Sequence, residues 1–247
     1  MMSLTTIKAG SLVKKQFQYK LNAYIGVFSS MMILQGLAIF FSLLGSSGMS
    51  STSSHGLSIS IDYYSADTVI MFTSLWAFIS AVLITTKIYR EDDYTFVTNR
   101  ITANLSNIAF LVLASLIGGF TAVMSGYFVR TYIYYFFDHD QLIGIGTGQD
   151  VQLLLTGMTA TILYILLFSS LGYLAGTLVQ LNRIFVVVLP VLVIGLQMNA
   201  IINQKINIFE FYFQESSILM FIPKIIVTVA VLFSIASLLS NRMEVRR

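Results

Sequence analysis

The 247-residue chain contains no cysteine, so disulfides, thiolate catalysis and cysteine-held metals are excluded. Charge is scarce as well. Asp, Glu, Lys and Arg make up 10% of the residues, against roughly 25% in a soluble domain. The two histidines, His55 and His139, fall in polar stretches between apolar runs, and no His-Glu-x-x-His occurs. No Walker motif is present. Gly144-Ile-Gly-Thr-Gly148 resembles a phosphate cradle, but the Lys-Ser/Thr and the strand context are missing, so it reads as a turn. No ionisable residue lies near the middle of any apolar run, although proton- and ion-coupled carriers usually place one there. The internal repeat of many secondary transporters is also absent. The chain itself therefore shows no catalytic residue, no metal site and no internal source of energy.

What is present is apolar length. Hydrophobic residues make up 56% of the chain and the mean hydropathy is +0.82. A membrane span needs about 20 mostly apolar residues. Six stretches qualify: Tyr24–Leu44, Asp67–Thr86, Asn107–Val129, Val151–Val179, Ile184–Ile202 and Pro223–Ser240. None shows the alternation of a barrel strand, so the spans are helices, which satisfy their own backbone groups in lipid. The fold expected is an all-α polytopic membrane protein forming a single transmembrane domain over residues 1–247. The first run is longer than a signal-peptide core, so no removable signal peptide is expected.

Lys and Arg set the orientation. With six spans both termini share a side, and that side holds Lys8, Lys14, Lys15, Lys20, Lys87, Arg90, Arg100, Arg183, Arg242, Arg246 and Arg247, eleven of the fourteen basic residues. Arg130, Lys205 and Lys224 fall on the other side. The termini and the loop 87–106 are expected in the cytosol. Residues 3–22 carry Val13, Phe17 and Leu21 at helical spacing beside Lys14, Lys15 and Lys20. This suits a helix lying in the membrane interface, the alternative being a frayed basic tail. Gly45–Ser60 is rich in Ser and Gly and reads as an outer linker. Residues 203–221 hold Ile206, Ile208, Phe209, Phe211, Tyr212 and Phe213 with Glu210 and Glu215. That is too charged to span and too apolar to float free, so an outer re-entrant or interfacial element is expected.

Three constellations are candidates for function. In the loop, Glu91, Asp92 and Asp93 suit a helix N-terminus, and Tyr94, Phe96 and Val97 then give an apolar face. Thr98, Asn99 and Arg100 would end that helix, and Thr102, Asn104 or Ser106 would cap the third span. Such a helix, held between two spans, either docks into a groove of a partner or is a solvated connector. Within the spans, Ala114, Gly118, Ala122 and Gly126, with Gly172 and Gly176, form small-residue stripes for helix packing or for a dimer seam. Polar residues at Gln35, Ser74, Gln197 and Asn199 either line a substrate path or act as interhelical hydrogen-bond glue, and Pro190 and Gly195 can bend the fifth helix just before Gln197.

Taken whole, the chain resembles a permease subunit of the type-2 ABC exporters of Gram-positive bacteria. The resemblance lies in the six-span plan, the basic N-terminal helix, the loop after the second span and the outer element before the sixth. The family's cytosolic loop often reads Phe/Leu-Pro-Val-Ser-Arg. Phe96-Val97-Thr98-Asn99-Arg100 is similar to it, without the proline and with one arginine in place of a basic pair. The resemblance implies a bacterial cell-membrane homodimer of permeases that exports its substrate. Two separate cytosolic ABC ATPase subunits would carry the ATP and Mg, and Arg90, Asp92, Tyr94, Phe96, Val97 and Arg100 would couple to them. No cofactor in this chain and no nucleic-acid partner are implied. Small relatives of this kind include exporters of amphipathic peptides such as phenol-soluble modulins, which points to a hydrophobic or amphipathic substrate. A membrane immunity or assembly factor without transport is the alternative.

Overall fold

The computed structural model describes residues 9–44, 49–54, 57–62, 67–94, 100–136, 151–203, 211–212, 215 and 217–242. Among the described residues eight helices of eight or more residues follow one another: α1 (Ala9–Ala23), α2 (Ile25–Leu43), α3 (Asp67–Ile84), α4 (Lys87–Tyr94), α5 (Arg100–Phe136), α6 (Val151–Leu181), α7 (Phe185–Asn203) and α8 (Ile218–Arg242). Five of them, α2, α3, α5, α6 and α8, are long and apolar enough to cross a membrane, so the chain is a membrane protein. In α7 the apolar run that is described covers Phe185–Gly195.

The architecture is helical, as expected, with one small addition. Between α2 and α3 the chain forms an antiparallel hairpin of β1 (Met49–Ser54) and β2 (Leu57–Asp62), paired from Met49 with Asp62 to Ser54 with Leu57. The signal is in β2, where Leu57, Ile59 and Ile61 alternate with Ser58, Ser60 and Asp62, a period of two. A reading of this stretch by its Ser and Gly content alone passes over it. Two residues separate the strands, the commonest length for a hairpin connection.

Boundaries differ too. α5 runs from Arg100, so Thr102, Asn104 and Ser106 are inside the helix and do not cap it. Its 37 residues, at 1.5 Å each, reach about 55 Å, well beyond a bilayer core of about 30 Å. α8 starts five residues before Pro223, which sits within its second turn. There the missing N–H of proline removes one bond of the ladder near the helix start.

Side-chain pairs fix the directions of the helices. Trp76 Nε1 donates to Ser30 Oγ at 3.0 Å and Gln35 Nε2 to Thr73 Oγ1 at 3.1 Å, so α2 and α3 are antiparallel. Tyr164 meets Phe221 at 5.0 Å between ring centroids and Tyr173 meets Phe233 at 5.8 Å, so α6 and α8 run the same way. α3 also packs closely on α6. At Gly172 an added Cβ would strike the backbone carbonyl of Phe78, and at Gly176 the Thr85 hydroxyl. Where helices cannot gain from the hydrophobic effect, such close backbone approach and its dispersion contacts hold them together. The largest apolar core gathers Tyr24, Phe110, Leu163, Leu167, Tyr173, Ile225 and Phe233, from α2's entry to α8.

Candidate functional site at the basic end of the bundle

α1 is amphipathic in a way that its apolar stripe conceals. Gln16 and Lys20, with Tyr24 just beyond the helix end, recur at spacing four beside Val13, Phe17 and Leu21, and it is this polar stripe that is buried. Lys20 is only 1% exposed. Its Nζ donates to Ser106 Oγ at 2.9 Å and to Asn107 Oδ1, both on the second turn of α5. One turn further along both helices, Tyr24 packs edge-on against Phe110 at 5.9 Å. α1 thus lies along the start of α5. The basic side chain of Lys20, expected at the surface, is spent inside. Gln16, one turn earlier, is buried, and neither its amide nitrogen nor its oxygen finds a partner among the described residues, a cost of about 1–3 kcal/mol.

The same end ties in α6 and α8. Asn104 Oδ1 accepts from Tyr173 Oη and from Ser240 Oγ, both at 3.2 Å. Arg100 Nη1 donates to the carbonyl of Asn241 at 3.3 Å. These contacts bring the start of α5 and the ends of α6 and α8 to one end of the bundle, together with Lys20. The polar junction was not foreseen, because Asn104 and Ser106 have the look of caps.

α4 follows α3 after the break at Thr85 and Thr86, and Arg90 N donates to Thr86 O at 3.1 Å. Tyr89 seats it on the bundle, with its ring 4.9 Å from that of Tyr24. The helix begins at Lys87, so Glu91, Asp92 and Asp93 lie in its second half and not at its N-terminus. Of the coupling residues expected from sequence, Arg90 and Arg100 are half-buried. Asp92 and Tyr94 lie on α4 with side chains outside those described, and Phe96 and Val97 lie outside the described residues altogether.

Among the polar residues of the spans, Gln35 is buried at the meeting of α2, α3 and α5. Its Nε2 faces Thr73 Oγ1 at 3.1 Å, Thr121 Oγ1 at 3.0 Å and Gly118 O at 3.3 Å. The amide bonds three helices to one another. Ser74 is buried and donates to Ile70 O within its own helix. Gln197 and Asn199 lie on the second half of α7, with side chains outside those described. Gln35→Leu should lower stability by about 1 kcal/mol, the scale of interhelical hydrogen bonds in membranes, as read by denaturation in mixed micelles.

The small-residue stripe of α5 is used within the chain. Ala114, Gly118 and Ala122 are buried, and a Cβ at Gly118 would lie 3.3 Å from Met31 Sδ and from Thr73 Cγ2. Gly126 is half-buried. Gly119, which the stripe omits, meets Ile162 of α6. Of the two readings of this stripe, the contacts match helix packing within one subunit.

At the opposite end, Lys224 pairs with Glu215 at 2.6 Å, donates to the carbonyl of Phe211 and lies 3.5 Å above the Phe211 ring. Tyr212 bridges α6 and α8. Its carbonyl accepts from Tyr164 Oη at 2.8 Å and its hydroxyl meets Thr228 Oγ1 at 3.2 Å. One cation thus fastens the segment before α8. Lys224→Met should release Phe211–Glu215 at a cost of about 1–2 kcal/mol, seen as faster amide exchange there while the helices stay protected.

No family model, curated protein or solved structure matches the chain.

Proposed function

We propose that the chain is the membrane-spanning permease subunit of an ATP-driven exporter of the type-2 ABC kind. It would move a hydrophobic or amphipathic peptide or lipid-like substrate out of the cytosol. Separate ATPase subunits supply ATP and Mg, and a second permease copy completes the pathway. The observation that carries this reading is the seat of α4. It is a short helix joined directly to α3 and stacked through Tyr89 on Tyr24, which in turn packs on Phe110 of α5. Force applied to α4 from the cytosol would reach α2, α3 and α5 together.

The six-span plan is part of the proposal. α6 and α8 share a direction, so the chain between them has to return across the bundle, and α7 is the one long helix among the described residues on that path. The basic end then faces the cytosol, with both termini. A cysteine introduced at Ser53 should react with an impermeant thiol reagent in intact cells, and one at Thr98 should react only after permeabilisation. Labelling of Thr98 from outside would reverse the orientation.

The exporter reading is tested by purifying the tagged chain in mild detergent. An ATP-hydrolysing subunit should copurify, and amphipathic peptide should raise its hydrolysis. A chain that purifies folded, with no such subunit, would favour an immunity or assembly role.

A further inference from the structure

We propose that the open edge of β2 pairs with the same edge of a second copy, joining two hairpins into one four-stranded antiparallel sheet. Among the described residues β1 and β2 form a sheet of two strands. Two strands alone are marginally stable in water, and three or more are normally needed. The register shows which backbone groups are left over. Two residues separate the strands, so Ser54 and Leu57, which flank them, exchange both hydrogen bonds. By the period of an antiparallel ladder, Thr52 with Ile59 and Ser50 with Ile61 do the same. The backbone N–H and C=O of Ser58, Ser60 and Asp62 on β2, and of Met49, Ser51 and Ser53 on β1, then point away from the hairpin.

Sheets protect such edges with lysine, proline or a bulge. β2 has none of these. It reads Leu-Ser-Ile-Ser-Ile-Asp, pairs without a break and carries its one charge at its last position. Its isoleucines favour a strand, whereas β1 is mostly serine, and this selects β2 as the joining edge. A two-fold axis sets a strand antiparallel to its own copy, so the edge is its own complement. The register follows. Centring on Ser60 pairs it with the partner's Ser60 and pairs Ser58 with the partner's Asp62. All three outward residues are then engaged, and the two Asp62 carboxylates stand at opposite ends, where like charges do not meet. A shift of two residues loses one of these pairs. The inference rests on the second copy proposed above and not on the ATPase.

The absence of native cysteine makes the test clean. Ser60→Cys, Ser58→Cys and Ser51→Cys are each treated in membranes with a short thiol–thiol linker. Position 60 should link copy to copy several-fold faster than position 51 or position 58, whose two copies would lie roughly 14 Å apart along the strands. Differently tagged copies carrying Ser58→Cys and Asp62→Cys should link to each other. Ser60→Pro should keep the hairpin, because the N–H it removes is on the open edge, and should weaken the dimer about tenfold or more in detergent, as read by light scattering. A dimer that links no faster at 60 than at 58, or that links fastest at 51, overturns the pairing and leaves the second copy standing. So does a dimer that Ser60→Pro leaves unchanged. A chain that is monomeric at every concentration overturns both. If Ser60→Pro does not fold, the linking rates decide alone.

Discussion

Gly172→Leu should prevent the bundle from assembling. At this position α6 lies so close to α3 that even the Cβ of alanine would overlap the carbonyl oxygen of Phe78, with the carbonyl carbon and Cα of the same residue 3.0 Å away. A side chain facing a flexible neighbour can be accommodated by a new rotamer. Here the neighbour is backbone inside a helix, and it can yield only if the two helices separate. Separation would also pull apart the Gly176 contact with Thr85 and Val82 one turn on. Overpacking typically costs about 1–3 kcal/mol, and a collision with backbone belongs at or above the top of that range. Gly172→Ala should already be destabilised, although alanine gains up to about 1 kcal/mol in helix propensity over glycine. Gly195→Leu is the control. Among the described residues nothing lies within 4 Å of a Cβ there, and stability should not fall. Thermal unfolding in detergent and the yield of monodisperse protein distinguish the three variants.

The second large effect is on activity. If the chain is the permease proposed above, replacing Tyr94 and Phe96 together by alanine should abolish export while the chain still inserts. Buried aromatic side chains at the centre of an interface commonly cost about 2 kcal/mol or more each when cut to alanine, which is roughly thirtyfold in affinity. Arg100→Ala should have a milder effect that depends on salt, because a charge at the rim acts through a screened field. Arg100 also donates to the carbonyl of Asn241, so part of its effect would appear in stability and can be separated by melting. Export by cells and recovery of the ATPase are measured side by side. Intact export in the double variant would leave the 87–106 segment as a connector.

The helices were legible because a membrane helix announces itself by length and composition. α2, α3, α5, α6 and α8 each centre on a run that hydropathy alone finds. Their ends were less legible. α5 extends to Arg100 because Asn104, Ser106 and Asn107 have partners on other helices, which sequence does not show. Lys20 misled for a similar reason. A basic residue near a membrane surface is counted as solvated, and only its position four after Gln16 and four before Tyr24 hints at a buried stripe. For the glycines, spacing told that helices pack at Gly118 and Gly172. It could not tell which helix they meet, because a small stripe fits a neighbour within the chain as well as a second copy. The hairpin after α2 was hidden by composition. Serine dominates it, and the alternating Leu57, Ile59 and Ile61 occupy only its second strand.

The most direct test of the central claim, that an ATPase drives this chain through the loop after α3, is a photoreactive residue placed at Phe96 in living cells. Illumination should give one adduct of defined mass. Its partner should carry a nucleotide-binding motif, and the adduct should be lost when Tyr94 is also changed to alanine. A correctly inserted chain that forms no adduct with any ATP-binding protein from position 96, nor from 94, 97 or 100, would contradict the account.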